Sequence, residues 1–564
     1  MNTQEVFLPF DVELLPVKNV TAGDLNCLYE NGNLRYIKWG DVEIIRMIYG
    51  AVRDEHWATA PYSIQDEVIE EKNNGFSIRY TAIYQWKSIH YKATFQIEGR
   101  DNSISFSMQG EALRSFHRNR IGICVLHPLS CAGKNVEVQH WDGTSEKSIF
   151  PELISPHQPF KDIQQLRWEI DDQVSGILIV EGDIFETEDQ RNWTDSSYKT
   201  YSTPLALPHP VLVKKGDTIQ QKVVLKVEGV VQKNTSTLSS QYEEKLSFPK
   251  IGYDRYPHHL LNENEIQLLH HIPFDHYRVE LKMKHSHWQR QFADAIEEAK
   301  KLHTKLELVI FFSTDQEKEI RLLMAAIKND YTLIESILPL QEQHHITPPA
   351  LLQFIYPILK NAYPDIRIGY GTDGFFAELN RNRPEGLDYD FVSFSLNPQV
   401  HADDSRTLIE NLEAQKDTVT TLRSFIGNKH IHVSPVTFKI RHHDASHIQD
   451  AGNEHMQPDY DVRQHTAFGA WWTLQTIKNL SGVERITFYQ TKGYKGVLKS
   501  FKGNSSTVNL TEEEQYPLYK VLAQIKSFAP KWIINKGKYG SILHEAIELE
   551  NEQGDRLKFI IEEK

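Results

Sequence analysis

Two strand-like segments in the second half of the chain end in charged or polar side chains that could bind a substrate or transfer a proton. In the first, Tyr277-Arg278-Val279-Glu280-Leu281-Lys282, apolar residues alternate with charged ones. A period of two puts Arg278, Glu280 and Lys282 on one face of a strand. Buried charges are costly unless they are paired or face a solvated site. The pattern therefore indicates either a structural Arg278–Glu280 ion pair or a clamp for a substrate.

The second segment, Phe391–Asn397, runs into Asn397-Pro398-Gln399-Val400-His401-Ala402-Asp403. Asn397 and Gln399 offer amide donors, and His401 offers a base that titrates near neutral pH. Asn-Pro is also a common turn signal, so a capped turn is the alternative interpretation.

A third candidate is Gly369-Tyr370-Gly371-Thr372-Asp373-Gly374, which formally fits a GxGxxG pattern. We expect no good helix directly after it, so the match is weak evidence for dinucleotide binding. We interpret the glycines as room for Asp373 to reach a site. Glu378 and Asn380 follow on the same loop.

Metal and cofactor signatures are sparse. His443 and His447 have a spacing that could bind a metal on a helix, but two histidines do not complete a site, and their surroundings favour a solvated loop. The sequence contains no GxSxG elbow, no HExxH and no Walker A motif. We therefore predict no metal and no cofactor.

These residues fall in a region where strand and helix patterns alternate, residues 248–530. The predicted strands are Lys250–Tyr253, Tyr277–Met283, Leu306–Ser313, Tyr331–Pro339, Ile366–Gly371, Phe391–Asn397, His430–Thr437 and Arg485–Gln490. The predicted helices include Trp288–Leu302, Gln316–Lys328, Pro349–Asn361, Ser405–Ile426, Asp461–Leu480 and Glu512–Phe528. Eight such units predict a (β/α)₈ TIM barrel, with a doubly wound sheet as the alternative.

The regions on either side are rich in β-strand patterns. Residues 1–247 contain short β-branched or alternating runs separated by turn signals such as Asn31-Gly32-Asn33, which predicts an N-terminal antiparallel β-sandwich domain. Residues 531–564 predict a small C-terminal β segment.

The active face of a TIM barrel lies at the C-terminal ends of its strands. The apolar face of the second strand should meet the helices, which directs Arg278 and Glu280 into the barrel. A retaining glycosidase needs two carboxyl groups about 5–5.5 Å apart. In sugar-cleaving barrels these two carboxyl groups usually stand at the ends of the fourth and seventh strands. Here Glu335 sits inside the fourth strand, and Val433–Thr437 in the seventh has no carboxylate, so this pair is missing.

Composition narrows the range of partners. The net charge of −14 argues against nucleic acid, because phosphate binding needs a basic surface. The chain shows no bilayer-spanning apolar run and no secretory signal at its start, so we expect no membrane partner. Its three cysteines are an odd number without metal-type spacing and suit a reducing compartment. We predict a cytoplasmic protein of unknown oligomeric state.

Several runs resemble the D-apionate lactonase family. They include Arg118-Asn119-Arg120-Ile121-Gly122, Leu126-His127-Pro128-Leu129, Glu188-Asp189-Gln190-Arg191-Asn192-Trp193-Thr194-Asp195, Glu378-Leu379-Asn380-Arg381, Asn397-Pro398-Gln399-Val400-His401-Ala402 and Ser434-Pro435-Val436-Thr437. The resemblance covers most of the chain. It implies a β-domain, a TIM barrel and a small C-terminal domain. It also implies a lactone hydrolase that opens D-apionolactone to D-apionate, a small carbohydrate substrate.

At two positions this chain departs from what the resemblance leads us to expect. Gln490 stands where an acid is expected, and Glu280 stands where an aspartate is expected. Two alternatives therefore stay open. One is a glycoside hydrolase with a different carboxylate pair. The other is a non-catalytic sugar-acid-binding protein, which the amide at Gln490 motivates.

Lactone hydrolysis requires an activated water, donors for the oxyanion and an acid for the departing alkoxide. We expect Glu280 or Asp373 as the base and His401 as the acid or an orienting group. Substrate-binding candidates are Arg278, Asn397, Gln399, Gln490, Glu378, Asn380, Arg191, Asn192 and Trp193. We expect the run Glu188–Asp195 to reach over the barrel mouth, with Arg191 facing the developing carboxylate. A capped inter-domain turn is the alternative.

Overall fold

The computed structural model describes residues 2–171, 173–229, 243–342, 344–441, 460–499, 511–536 and 545–562. The histidine-rich segment with His443 and His447 lies outside them. The described residues form a large N-terminal sheet, a parallel barrel and a five-stranded sheet. Among them, no helix is long and apolar enough to cross a bilayer.

The N-terminal half is built mainly from antiparallel strands joined by tight turns. Asn31 and Gly32, with φ of 45° and 86°, connect the third and fourth strands, as a hairpin turn with two positive φ angles requires. The strands are β1 (Thr3–Pro9), β2 (Lys18–Ala22), β3 (Leu25–Glu30), β4 (Asn33–Trp39), β5 (Val42–Asp54), β6 (Ser63–Lys72), β7 (Gly75–Trp86), β8 (Ile89–Arg100), β9 (Ser103–Ala112), β10 (Phe116–His127), β11 (Asn135–His140), β12 (Ser145–Ile149), β13 (Phe160–Asp171), β14 (Val174–Glu181), β15 (Phe185–Asp189), β16 (Tyr198–Tyr201), β17 (Val211–Val213), β18 (Thr218–Gly229) and β19 (Glu243–Ser247).

The predicted sandwich is found only in part. β2–β18 form one continuous sheet, the N-terminal sheet, which nearly closes into a barrel. β10 pairs with both β5 and β16, and β18 pairs with both β9 and β14. β13 joins these two groups, because it pairs with β14 and also, with a register shift between Phe160 and Ile163, with β15. Such a shift bends a strand, so that its two ends can pair with different neighbouring strands.

The predicted TIM barrel is confirmed. Its parallel strands are β20 (Lys250–Asp254), β21 (His276–Lys282), β22 (Lys305–Phe312), β23 (Ile334–Gln341), β24 (Arg367–Gly371), β25 (Phe391–Leu396), β26 (His430–Val436) and β27 (Arg485–Lys492). Pairing of β20 with β27 closes the barrel. A short strand, β28 (Gly496–Leu498), follows. The C-terminal ends of β20–β27 and the loops after them form what we call the barrel mouth.

The helices pack around the barrel. They are α1 (Glu263–His270), α2 (Trp288–Leu302), α3 (Gln316–Ile327), α4 (Pro349–Ala362), α5 (Phe376–Arg381), α6 (Ser405–Glu410), α7 (Gln415–Ile426), α8 (Ala467–Asn479) and α9 (Pro517–Phe528). α2, α3 and α4 agree with their predicted bounds to within one residue, whereas the predicted helix Ser405–Ile426 consists of α6 and α7, and α8 and α9 begin later than predicted. One expectation was wrong, since α5 opens two residues after Gly374. The Glu378 carboxylate caps it by accepting the Phe375 N–H at 2.7 Å.

Strand parity orders the barrel interior. Tyr277 turns outward, and its hydroxyl bonds Glu298 on α2, whereas Arg278 turns inward. Above the N-terminal strand ends lies a buried polar layer of His276, Glu307, His432, Ser434 and Thr487. An apolar interior layer consists of Val309, Phe311, Leu338, Leu340 and Phe391. Glu335 of β23 pairs with Arg367 and Arg485.

Both ends of the predicted N-terminal domain belong to another sheet. Its strands are β1, β19, β29 (Trp532–Lys536), β30 (Ile547–Glu550) and β31 (Arg556–Glu562). β1 pairs parallel to β31, and β19 pairs antiparallel to β29, so the C-terminal segment is completed by strands from residues 1–247. The Asp11 carboxylate accepts the N–H groups of Ala467 and Phe468, which fixes the start of the chain on α8.

Candidate active site

At the barrel mouth, two carboxylates meet one buried arginine. Arg278 Nη1 lies 2.9 Å from Asp254 Oδ1 and 2.7 Å from Glu280 Oε1. Arg441, which follows β26, reaches across the mouth and donates to the same Glu280 oxygen. Glu280 is therefore held by two guanidinium groups. We call Asp254, Arg278, Glu280 and Arg441 the arginine cluster.

Three guanidinium nitrogens of the arginine cluster are not used in the ion pairs described above. Nε and Nη2 of Arg278 and Nη1 of Arg441 are buried and have no hydrogen-bond partner among the residues that the structure describes. Leaving buried donors unsatisfied costs about 1–3 kcal/mol each. Guanidinium N–H groups match carboxylate and carbonyl oxygens. These three groups therefore indicate where the oxygens of a bound molecule could lie.

Asp254 was not among the predicted site residues. Burial raises its pKa, Glu280 raises it further, and Arg278 and Arg441 oppose this only in part, so the pKa stays above its ordinary value. The signal that could have identified it is strand parity, because Asp254 ends β20 on the same face as Gly252.

Gln490 lies opposite Asp254 on the neighbouring strand. A register shift places Gln490, rather than Tyr489, against Asp254. Tyr489 has a positive φ of 43°, and its hydroxyl lies 2.9 Å from that of Thr473 on α8, outside the barrel. A bulge of this kind redirects the following side chain. Tyrosine rarely adopts such a backbone conformation, and strain of this kind clusters at functional sites.

The ends of β24 and β25 are tied together by backbone contacts. Asp373 is buried, and Ser395 Oγ donates to its carbonyl oxygen at 3.0 Å. Asn397 Oδ1 accepts the Gln399 N–H at 2.9 Å, which is the capped turn considered above. The Gln399 amide donates to the Phe438 carbonyl at 2.8 Å and to Asp461 at 2.9 Å. Gln399 thus joins the loops after β25 and β26 rather than offering its N–H groups to a ligand.

The role predicted for Arg191 is not supported. Asp189 caps a 3-10 helix, Gln190–Trp193, and binds the Arg191 guanidinium through both carboxylate oxygens. The carbonyls of Pro151 and Glu152 and the Asp417 carboxylate of α7 accept the other N–H groups. All five donors of Arg191 are therefore used in the interface, as the alternative of an inter-domain turn requires.

Two predicted amides lie in the same interface. Asn380 donates to Asn192 Oδ1 at 3.1 Å and to the Ile154 carbonyl at 3.0 Å. Asn192 in turn donates to the Ser155 carbonyl at 2.6 Å. Both side chains are buried, so these contacts fasten the N-terminal sheet to the barrel and leave no amide hydrogen of Asn380 for a substrate.

The rest of the run does reach the barrel mouth. The rings of Trp193 and His401 are nearly perpendicular, with their centroids 5.3 Å apart. Thr194 Oγ1 donates to the Asn397 carbonyl at 3.1 Å. Asp195 Oδ2 lies 2.5 Å from His401 Nδ1. Asp195 was not selected as a site residue, and no local signal marks it, because its partner is 206 residues away.

The surroundings of His401 favour its neutral form. Burial lowers its pKa below the ordinary value; Asp195 opposes this, while Lys199 and Arg53 add to it. A neutral imidazole that donates Nδ1–H to Asp195 has a lone pair on Nε2. Within the described ranges, no group makes a hydrogen bond to Nε2.

We found no group of three or more His, Cys, Asp or Glu side chains arranged for a metal in the described parts of the chain. The three cysteines are buried and unbridged.

Two family models match this chain. One, described as the N-terminal domain of D-apionate lactonase, matches residues 11–230, and the other, its TIM barrel domain, matches residues 257–530. The chain belongs to the D-apionate lactonase family. A D-apionate lactonase from Brucella anthropi is 30% identical over 451 residues, 75% of this chain and 73% of that protein. The family resemblance inferred from the motifs is thereby confirmed.

Solved structures give weaker similarities. A family 51 α-L-arabinofuranosidase from Bifidobacterium longum matches with a TM-score of 0.39 and 10% identity over 56% of this chain and 84% of its own. A putative aldose 1-epimerase from Escherichia coli matches with a TM-score of 0.27 and 9% identity over 38% of this chain and 99% of its own. Similarity at this level carries no information about the reaction of this family member.

Proposed function

We propose that this chain hydrolyses the ring ester of a sugar-acid lactone, with D-apionolactone as substrate and D-apionate as product. Family membership supports a lactone hydrolase. The observation that carries the proposal is the arginine cluster, in which three buried guanidinium nitrogens without a described partner lie beside two carboxylates at the barrel mouth.

The cluster suits the needs of ester hydrolysis. The unpaired N–H groups of Arg278 and Arg441 would donate to the lactone carbonyl oxygen and stabilise the negative charge that develops there. Loss of one such donor typically costs about 10²–10³ in rate. The carboxylates of Asp254 and Glu280 would accept hydrogen bonds from ring hydroxyls. Because two arginines share one Glu280 oxygen, we assign Glu280 to binding rather than to the role of base.

One observation favours a second candidate. Asp254 and Glu280 are two carboxylates within reach of one arginine nitrogen, and glycoside hydrolases use carboxylate pairs. This pair belongs to β20 and β21, so it would be a non-standard arrangement for such an enzyme.

A substrate panel separates these functions. Purified protein is incubated with D-apionolactone and with five- and six-membered aldonolactones, and acid release is followed at constant pH against a blank without enzyme. We expect release well above the blank, while aryl glycosides stay intact. Cleavage of aryl glycosides without lactone opening would favour the glycoside hydrolase. Lactone binding in calorimetry without turnover would favour a sugar-acid-binding protein.

A further inference from the structure

The Asp195 carboxylate is fixed at both oxygens. Oδ2 lies 2.5 Å from His401 Nδ1, and Oδ1 accepts Asn411 Nδ2 at 3.0 Å. Only 6% of the side chain is exposed. An ionised carboxylate only accepts hydrogen bonds, so Nδ1 of His401 must carry the hydrogen. The contact therefore selects the tautomer whose lone pair is on Nε2.

His401 is connected to the arginine cluster through a short segment. Gln399, two residues before His401, donates to the carbonyl of Phe438. Three residues after Phe438, Arg441 bonds Glu280. The Trp193 ring packs nearly perpendicular to the imidazole and limits its rotation. A proton acceptor supported by the N-terminal sheet thus lies on the same face of the barrel as the unpaired guanidinium N–H groups.

We propose that Asp195 is a positioning residue that holds His401 as the proton-transfer group of the barrel, so that the N-terminal sheet completes the active site. This inference rests on the proposed lactone hydrolysis. The water oxygen bonds to the lactone carbonyl carbon while Nε2 takes its proton, and the carbonyl electron pair moves to the oxygen beside the arginines. The ring C–O bond then breaks, and Nε2 returns the proton to the ring oxygen. Lactone and water become the hydroxy acid, and nothing else is consumed.

The charges around His401 define the pH dependence. Asp195 faces Nδ1, while Arg53 of β5, Glu188 of β15 and Lys199 of β16 lie on the sheet side, with Lys199 and Glu188 paired at 2.5 Å. Protonation of Nε2 removes the acceptor, so kcat should fall at low pH as His401 becomes charged. Asp195 stabilises the charged imidazole, so its loss should move this acid limb to lower pH.

The test is Asp195→Asn, with Asp195→Glu as the rescue variant and Asp417→Asn as the matched control. Asp417 bonds Arg191 in the same interface but does not touch His401. We expect Asp195→Asn to lower kcat by about 10²–10⁴, the usual cost of losing general base catalysis. KM should change by no more than about threefold, and the acid limb should shift down. Asp195→Glu should recover part of kcat, and Asp417→Asn should keep the wild-type kcat and profile.

A second measurement does not need turnover. In ¹⁵N-resolved NMR spectra of the full chain, assigned with His401→Asn, the wild-type His401 should be the Nδ1–H tautomer, and Asp195→Asn should lower its pKa. A wild-type Nε2–H tautomer would overturn the proposal, as would unchanged kcat and acid limb in Asp195→Asn. If wild type opens no lactone, the proposed function fails, while the tautomer still decides whether Asp195 sets the state of His401.

Discussion

Asp195 and His401 meet across the boundary between the N-terminal sheet and the barrel, with Oδ2 of one 2.5 Å from Nδ1 of the other. The carboxylate comes from the loop after a 3-10 helix that Arg191 anchors in the interface, and the imidazole comes from the loop after β25. The Asp195–His401 contact of the candidate active site therefore exists only where the two domains pack together. The N-terminal domain thus contributes Asp195 to the candidate active site.

Glu280→Gln should lower kcat/KM by about 10²–10³, because it weakens the hold on two guanidinium groups that face the developing charge. The matched control is Glu335→Gln, since Glu335 also lies between two arginines but at the opposite end of the barrel. Its kcat/KM should stay within about threefold of wild type, because loss of that ion pair affects stability rather than transition-state binding. Steady-state lactone hydrolysis by both variants measures the difference. Equal losses of kcat/KM in the two variants would mean that the arginine cluster is not part of the active site.

Arg191→Met should destabilise the protein rather than weaken substrate binding. Breaking a buried ion pair by removing one partner typically costs about 3–5 kcal/mol, and here Asp189 would keep a buried charge with backbone donors alone. Differential scanning calorimetry should show a lower unfolding temperature, and KM for lactone should be near the wild-type value while the protein is folded. A raised KM with normal stability would return Arg191 to the substrate site.

Stability should fall as the pH drops below about 6.5, the ordinary pKa of histidine. Burial lowers the pKa of His127 and of His276 to about 3, so both stay neutral in the folded chain while the unfolded chain takes up protons. A depressed folded-state pKa means that stability is present at high pH and is lost toward low pH. Two such groups give a slope of about 2.7 kcal/mol per pH unit between about pH 6 and pH 4.

The measurement for this acid dependence is the free energy of unfolding in urea at several pH values, compared with His276→Gln. The variant should lose about one proton from the uptake on unfolding, and hence about half of the slope. A wild-type slope near zero over this range would contradict the neutral state of both buried histidines.

Activity should be unchanged after dialysis against a chelator. The described residues contain no cluster of three potential metal ligands, and the sequence has no complete ligand motif outside the segment with His443 and His447. Elemental analysis of the purified chain provides the comparison. Stoichiometric zinc, with activity that disappears on its removal and returns on its addition, would make those two histidines the first ligands to test.

The sequence by itself determined most elements of the barrel and the face on which its candidate active site lies. Helix α2 has its predicted bounds, Trp288–Leu302, and inward Arg278 and outward Tyr277 follow from alternation. These features depend on local periodicity, which each segment carries on its own. The family, too, could be read from contiguous runs.

The tertiary structure alone decided which polar residues come together at the candidate active site. Arg191 and Asn192 stand in the most distinctive run of the chain, yet their donors are consumed by groups up to 226 residues away, while Asp195 in the same run meets His401. The tertiary structure also decided the shape of the N-terminal sheet, because its near-closure depends on β13 pairing with both β14 and β15. A polar side chain near an interface forms hydrogen bonds with the groups that the other domain places beside it. Spacing along the sequence contains no information about the distance between that side chain and those groups.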